Sequence, residues 1–207
     1  MTDASLIAFV IAAALLTVTP GLDTALVLRT AGVEGAQKAA LAAIGICLGC
    51  LAWGVVVALG LGVLLQASEL AYTLLRWAGA AYLLYLGIKL IRSKREGLVE
   101  GDAEATAASG GAWFWRGLLT NLLNPKVGIF YVSFLPQFIP AGANVPGTTI
   151  LLAAIHAALG LAWFAALILA TRPIAAALRR PGTVRLLDRL TGGLFLLFGA
   201  RLALVRD

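Results

Sequence analysis

Charge, histidine and cysteine are all scarce in this chain. Of its 207 residues, 13% are charged, one is a histidine and two are cysteines. A soluble domain of that length needs far more polar surface to stay in solution. The single histidine, His156, has no second His, Cys or acid at ligand spacing, so the pattern gives no metal centre. Two cysteines make no disulfide framework. No nucleophile–base pair is visible, so hydrolytic chemistry lacks its residues, and no cofactor is implied. Basic residues are also missing at the start. Met1-Thr2-Asp3-Ala4 carries neither Lys nor Arg before a long apolar run, which therefore reads as a retained first helix rather than a signal peptide.

What the chain has is hydrophobicity: 61% of residues are apolar. About six runs approach the ~20 residues that cross a bilayer as a helix. They fall near 5–28, 40–65, 70–91, 117–138, 148–171 and 184–205. These runs predict an all-α integral membrane protein. With the short connections they use up the chain, leaving no soluble catalytic domain, so the pattern is not that of an enzyme.

Arginine and lysine set the predicted orientation. Arg29 and Lys38 follow the first span, Arg92, Lys94, Arg95 and Arg116 the third, and Arg172, Arg179, Arg180, Arg185 and Arg189 the fifth. The alternate connections, Gln66-Ala67-Ser68-Glu69 and residues 136–147, are nearly bare. Basic loops stay cytoplasmic, so both termini are expected outside the cytoplasm of a plasma (inner) membrane. This asymmetry accounts for the net charge of +6. The positive charge then faces the lipid surface, and nucleic-acid binding has no separate support.

The chain reads as two copies of one unit, 1–91 and 117–207, joined by a cytoplasmic linker over 92–116. Leu74-Leu75, Gly87, Lys89 and Leu90 match Leu186-Leu187, Gly199, Arg201 and Leu202 at one constant offset. Leu-Ala-Ala-Ile recurs at 41–44 and 152–155, followed by Leu48-Gly49 and Leu159-Gly160, then Trp53 and Trp163. Three spans per copy is an odd number, so the second copy must enter from the opposite side. The expected architecture is a pair of inverted three-helix repeats, a common plan for alternating-access carriers. Trp113 and Trp115, at the entry to the fourth span, are expected to anchor at the membrane interface.

Two spans are interrupted at corresponding places, by Thr19-Pro20-Gly21-Leu22-Asp23-Thr24 and by Asn121-Leu122-Leu123-Asn124-Pro125-Lys126. Interrupted helices in matching halves are the best sequence pointer to a carrier's substrate site. Pro20 and Pro125 each remove a backbone donor, and Gly21 tolerates unusual dihedrals. Freed backbone is stable at membrane depth only where protein or a cavity surrounds it. A half-helix starting beyond Gly21 points amide donors and a positive dipole end at a substrate carboxylate. Asp23 and Thr24 stand at that start. An acid at this depth is a functional candidate by default: Asp23 either holds a substrate ammonium or carries a coupling proton. Its structural alternative is an ion pair with Lys126. Asn121 and Asn124 offer polar groups to substrate, or cap the second half-helix.

His156 lies within the fifth span, where it either relays protons or hydrogen-bonds a neighbouring helix. Cys47 and Cys50 form a Cys-x-x-Cys pair, which opens the alternative of a transmembrane thiol–disulfide electron carrier. Gly45, Gly49 and Gly54 around them favour close helix packing instead. Small-residue faces permit a homodimer.

Several stretches together resemble the LysE/RhtB family of amino-acid exporters. They are Thr-Pro-Gly-Leu-Asp-Thr-Ala-Leu-Val from Thr19, the Gly45 and Gly49 pair, and Gly79-Ala80-Ala81-Tyr82-Leu83-Leu84-Tyr85-Leu86-Gly87. The stretch Arg116-Gly117-Leu118-Leu119-Thr120-Asn121-Leu122-Leu123-Asn124-Pro125-Lys126, with Phe134-Leu135-Pro136-Gln137-Phe138, completes the set. The family usually shows Pro-Gly-Pro in the first span, where this chain has Leu22 in third place. The resemblance implies export of amino acids or similar small metabolites from the cytoplasm, driven by the proton motive force.

Overall fold

The computed structural model describes residues 3–67, scattered positions between 73 and 92, and residues 110–140, 142–170 and 180–204. All described elements are helical: α1 (Asp3–Val18), α2 (Leu22–Val33), α3 (Ala36–Ala67), α4 (Gly110–Leu122), α5 (Pro125–Ile129), α6 (Val145–Leu169) and α7 (Pro181–Leu204). From α5 the chain continues through a π-helical turn, Phe130–Phe134, and a 3₁₀ turn, Leu135–Phe138. The predicted third span falls mostly outside the described residues; those described between 73 and 91 are helical. Most of the predicted linker also lies outside them.

Among the described residues, two single helices are long and apolar enough to cross a membrane, Ala36–Gly60 and Val145–Leu169, and two bent pairs bring the candidates to four. The pairs bend at a short break, by 52° between α1 and α2 and by 50° between α4 and the helix from Pro125 to Phe138. Both bends fall where the sequence interrupts its helices, and their angles nearly agree.

Each break follows from one missing N–H. In α1 the Leu16 carbonyl should receive the amide four residues on, which is Pro20 and has none. Hydrogen bonding resumes when Ala25 N donates to Gly21 O at 2.9 Å. In α4 the carbonyl facing the same deficit belongs to Asn121, because its partner would be Pro125. There the chain tightens, and Asn124 N donates to Asn121 O at 3.0 Å. The Asn124 side chain then caps α5, its Oδ1 accepting from Lys126 N at 3.1 Å. Gly21 caps α2 with no side chain. Its backbone is extended, φ −159° and ψ −168°, a conformation open to any residue. The space here is shared with Lys126, whose Nζ would stand 3.2 Å from a Cβ on Gly21 and would have to give by a few tenths of an ångström. Leu22, where the family shows proline, occupies the first helical position, and proline is favoured there because that N–H has no helical partner.

The long helix α3 is the spine against which α4, α6 and α2 pack. Its contact with α4 is set by glycines facing one another. A side chain on Gly117 would enter the Ala42 carbonyl, and one on Gly45 would enter the Phe114 carbonyl. Small residues allow such backbone approach in membranes, where packing rather than water exclusion holds helices together. Trp113 shares this face at four-residue steps with Gly117 and Asn121. It is 1% exposed, with the Arg116 guanidinium 4.6 Å above its ring. It is therefore a core residue, not the interfacial anchor its position suggested. Because α4 starts at Gly110, Trp113 lies a full turn inside the helix. Trp115, on the opposite face, is 59% exposed, as an anchor would be.

Aromatic rings fill the space between α1 and the far part of the fourth span. Phe9 packs on Phe130 and Phe138 with ring centroids 6.1 and 5.3 Å away, and Phe134 reaches Phe195 of α7 at 6.2 Å. The described helical positions between 73 and 91 meet α7 reciprocally. A Cβ on Gly87 would meet Gly192 O and Leu196, and one on Gly199 would meet Ala80 O, Leu83 and Leu84. Under the offset that carries Gly87 to Gly199, Ala80 becomes Gly192 and Leu84 becomes Leu196.

Candidate functional site

Where the two broken spans cross α3 and α6, a small cavity of about 30 Å³ opens. That is room for a water molecule or two. Both breaks contribute to its wall, through Thr17, Gly21, Asp23 and Thr24 from the first and Asn121 and Lys126 from the second. Cys47 and Cys50 of α3 and His156 of α6 also line it. The sequence-predicted residues Asp23, Thr24, Gly21, Asn121, Lys126 and His156 are thus gathered into one site. Pro20, Asn124 and Pro125 stand outside the lining and act on it by shaping the breaks.

Asp23 sits in the first turn of α2. Its Oδ2 accepts from Asn121 Nδ2 at 3.0 Å, while its Oδ1 has no hydrogen-bond partner among the described residues, although water does not reach it. The buried Asn124 amide lies beside Asp23 and contributes polar stabilisation to its carboxylate. A buried polar atom without a partner costs about 1–3 kcal/mol, so Asp23 Oδ1 in the cavity wall marks where a ligand or water completes the bonding.

Lys126 also serves the backbone of the first break. Its Nζ donates to Leu16 O at 3.0 Å and to Thr19 O at 2.9 Å. The first is the carbonyl that Pro20 leaves without a donor. The ammonium of the second break therefore satisfies the backbone of the first. It attracts Asp23 electrostatically, while the hydrogen bond to the carboxylate comes from Asn121.

Asn121 is fully buried and also donates to Cys50 Sγ at 3.5 Å. It fits because Gly49 has no side chain; a Cβ there would stand 2.5 Å from Asn121 Oδ1. The Tyr131 hydroxyl, held inward by the π turn, lies 3.1 Å from His156 Nδ1, and Phe130 packs 5.1 Å from the same imidazole. His156 thus both lines the cavity and bonds a neighbouring helix. Cys47 and Cys50 are buried free thiols. Cys50 serves Asn121 and Cys47 stands against α6, so the electron-carrier alternative gains no support.

Two polar residues of α7 escaped the sequence reading. Asp188 is 1% exposed and Thr191 is fully buried. The Thr191 hydroxyl hydrogen-bonds the Thr19 hydroxyl, which also donates to Leu15 O at 2.6 Å. Asp188 was hidden by Arg185 and Arg189, which make its segment look like a basic loop. The helical spacing of Asp188 and Thr191, one face of a run that is otherwise apolar beyond Leu190, was the available signal.

Comparison with known proteins gives the family. The chain matches the LysE type translocator family over residues 14–206. It is 33% identical over 205 residues to a homoserine/homoserine lactone efflux protein of Salmonella typhi, covering 96% of each chain. A leucine efflux protein of Klebsiella pneumoniae is 31% identical over 204 residues, covering 96% of this chain and 94% of that one. An uncharacterized membrane protein of Bacillus subtilis is 34% identical over 167 residues, 77% of this chain and 80% of its own length. No solved structure matches significantly. The chain belongs to the LysE type translocator family, and it is a multi-pass membrane protein.

Proposed function

We propose, from that membership, that this protein exports an amino acid or a close relative from the cytoplasm, in exchange for protons. The observation that carries the reading is the pairing of the two breaks around one cavity, with Asp23 Oδ1 buried and unsatisfied in its wall. The substrate ammonium binds Asp23. Its carboxylate faces the first-turn amides of α2, where Gly21 provides no competing side-chain cap. Asp23 releases the ammonium when it takes up the coupling proton, and His156, oriented by Tyr131, serves as the second proton site. The relatives named for efflux of homoserine and of leucine support a substrate of this size and class.

Alternating access follows from an inverted six-helix repeat. The nearly equal bends support it, and so does the reciprocal contact of Gly87 with Gly192 and of Gly199 with Ala80. A pseudo-two-fold axis through the middle of that helix pair generates such reciprocity. The basic connections support an orientation with both termini outside the cytoplasm of the inner membrane. Pairing into a homodimer is compatible with the exposed small residues.

The test is transport by purified protein in liposomes, with a panel of labelled amino acids and an imposed pH gradient. Gradient-driven flux of one or a few neutral amino acids is expected. No flux across the panel, from folded protein, would overturn the reading.

A further inference from the structure

A line of buried side chains joins Asp23 to His156. Asn121 shares its Nδ2 between Asp23 Oδ2, at 3.0 Å, and Cys50 Sγ, at 3.5 Å. At the other end the Tyr131 hydroxyl meets His156 Nδ1 at 3.1 Å. The same hydroxyl stands against the Cys50 thiol. Asn121, Cys50, Tyr131 and His156 are all buried, so bulk water does not compete for these contacts.

The helix α3 brings the two ends together. Asn121 lies against Gly49, and the Tyr131 ring lies against Gly54, where a Cβ would stand 3.9 Å from its Cε1. Cys50 follows Gly49 in the chain and shares a face with Gly54, one turn on. Its sulfur is therefore the point where the two ends meet.

Counting hydrogens shows what the line transmits. The tyrosine hydroxyl has one hydrogen and two acceptors in reach, His156 Nδ1 and Cys50 Sγ. A neutral imidazole with a bare Nδ1 takes that hydrogen. An imidazolium carries hydrogen on both nitrogens, so the hydroxyl accepts from Nδ1 and turns its own hydrogen to the sulfur. The added proton stays on the imidazole, and no O–H, S–H or N–H bond breaks. Cys50 Sγ then receives from Tyr131 as well as from Asn121, which loosens its hold on Asn121 and leaves the amide to Asp23. An ionised carboxylate binds such an amide about twice as strongly as a neutral acceptor does.

We propose that Cys50 is a positioning residue for proton coupling: its thiol joins Asn121 to Tyr131, so that protonation of His156 favours the ionised form of Asp23 and each site senses the other. The inference rests on the reading above that Asp23 and His156 carry the coupling protons. The titratable groups facing this line are Asp23 of α2, Lys126 of α5, Cys47 and Cys50 of α3, Tyr131 and His156; among the described residues α1, α4 and α7 add none to the cavity wall. Lys126 acts on both Asp23 and His156 by its charge, which Tyr131→Phe leaves in place.

The experiment follows the S–H stretching band of Cys50 by infrared spectroscopy of detergent-solubilised protein, over about pH 3 to 9. Thiols absorb where no other protein group does, and the band lost in Cys50→Ala is that of Cys50. In wild type the band is expected to shift in two steps, one removed by Asp23→Asn and the other by His156→Gln. Tyr131→Phe deletes one oxygen and keeps the ring; it is expected to abolish the His156 step and retain the Asp23 step. A wild-type band with no step that depends on His156, or a Tyr131→Phe band that keeps that step, would overturn the assignment. Exchange of labelled leucine and homoserine in liposomes supplies the second reading. Cys50→Ala is expected to move the pH midpoint of exchange by about fivefold or more in proton concentration, and Cys50→Ser, which keeps a bridging hydroxyl, to restore it. A Cys50→Ala profile that superimposes on wild type would also overturn the assignment. Wild-type protein that moves neither amino acid, while its Cys50 band behaves as described, would overturn the exporter reading and leave the linkage between Asp23 and His156 standing.

Discussion

Lys126 Nζ donates to the Thr19 carbonyl at 2.9 Å, so the cation of one broken span closes the backbone of the other. With the Leu16 carbonyl at 3.0 Å, it replaces hydrogen bonding that Pro20 removes. Lys126→Met should strand two buried acceptors, at about 1–3 kcal/mol each. The thermal midpoint in detergent, followed by tryptophan fluorescence, should fall, and transport should fall with it. Lys126→Arg should recover part of the stability, because it keeps a donor. A Met variant as stable as wild type would mean that the carbonyls find other partners.

Asp23→Asn should leave the fold intact and remove gradient-driven flux. The amide can still accept from Asn121 through its oxygen but cannot ionise. Exchange of labelled for unlabelled substrate without a gradient separates binding from coupling. Full gradient-driven export by this variant would exclude Asp23 from the coupling step.

Helix packing gives a contrast between two glycines. Gly117→Ala drives a methyl into the Ala42 carbonyl and should separate α3 from α4, with a loss of several degrees in thermal midpoint. Gly193→Ala meets nothing within 4 Å. It should be neutral or stabilising by up to about 1 kcal/mol, since alanine favours helix more than glycine does.

The tryptophans give a second contrast. Trp113→Ala removes a fully packed ring and its cation–π contact with Arg116, and should cost about 3–5 kcal/mol. Trp115→Ala, on the exposed face, should leave the detergent midpoint nearly unchanged. Equal effects from the two substitutions would contradict the burial of Trp113.

Much of the site was legible because membrane sequences punish exceptions. Pro20-Gly21 and Asn124-Pro125 announce the breaks, and a lone acid at depth announces Asp23. Cross-helix partners were not legible. Nothing in the spacing distinguishes a Lys126 that pairs with Asp23 from one that caps Leu16 and Thr19, because the choice depends on how two bends face each other. Trp113 was misplaced because a tryptophan near a predicted boundary looks interfacial until the helix is known to begin at Gly110. Asp188 was obscured by the arginines flanking it, and only its burial in α7 separates it from them. The role of Gly49 was also invisible, since its missing side chain matters only once Asn121 is known to lie against it.

The two breaks are not completed alike. Asn124 closes its own, within three residues of the carbonyl that needs it, whereas the first waits for a lysine 107 residues from Thr19. During synthesis the first span enters the bilayer before Lys126 exists. Until then its open carbonyls depend on water or on the insertion machinery. The half made first is therefore the half finished last, and a ribosome halted before Lys126 leaves a fragment that cannot close its own break.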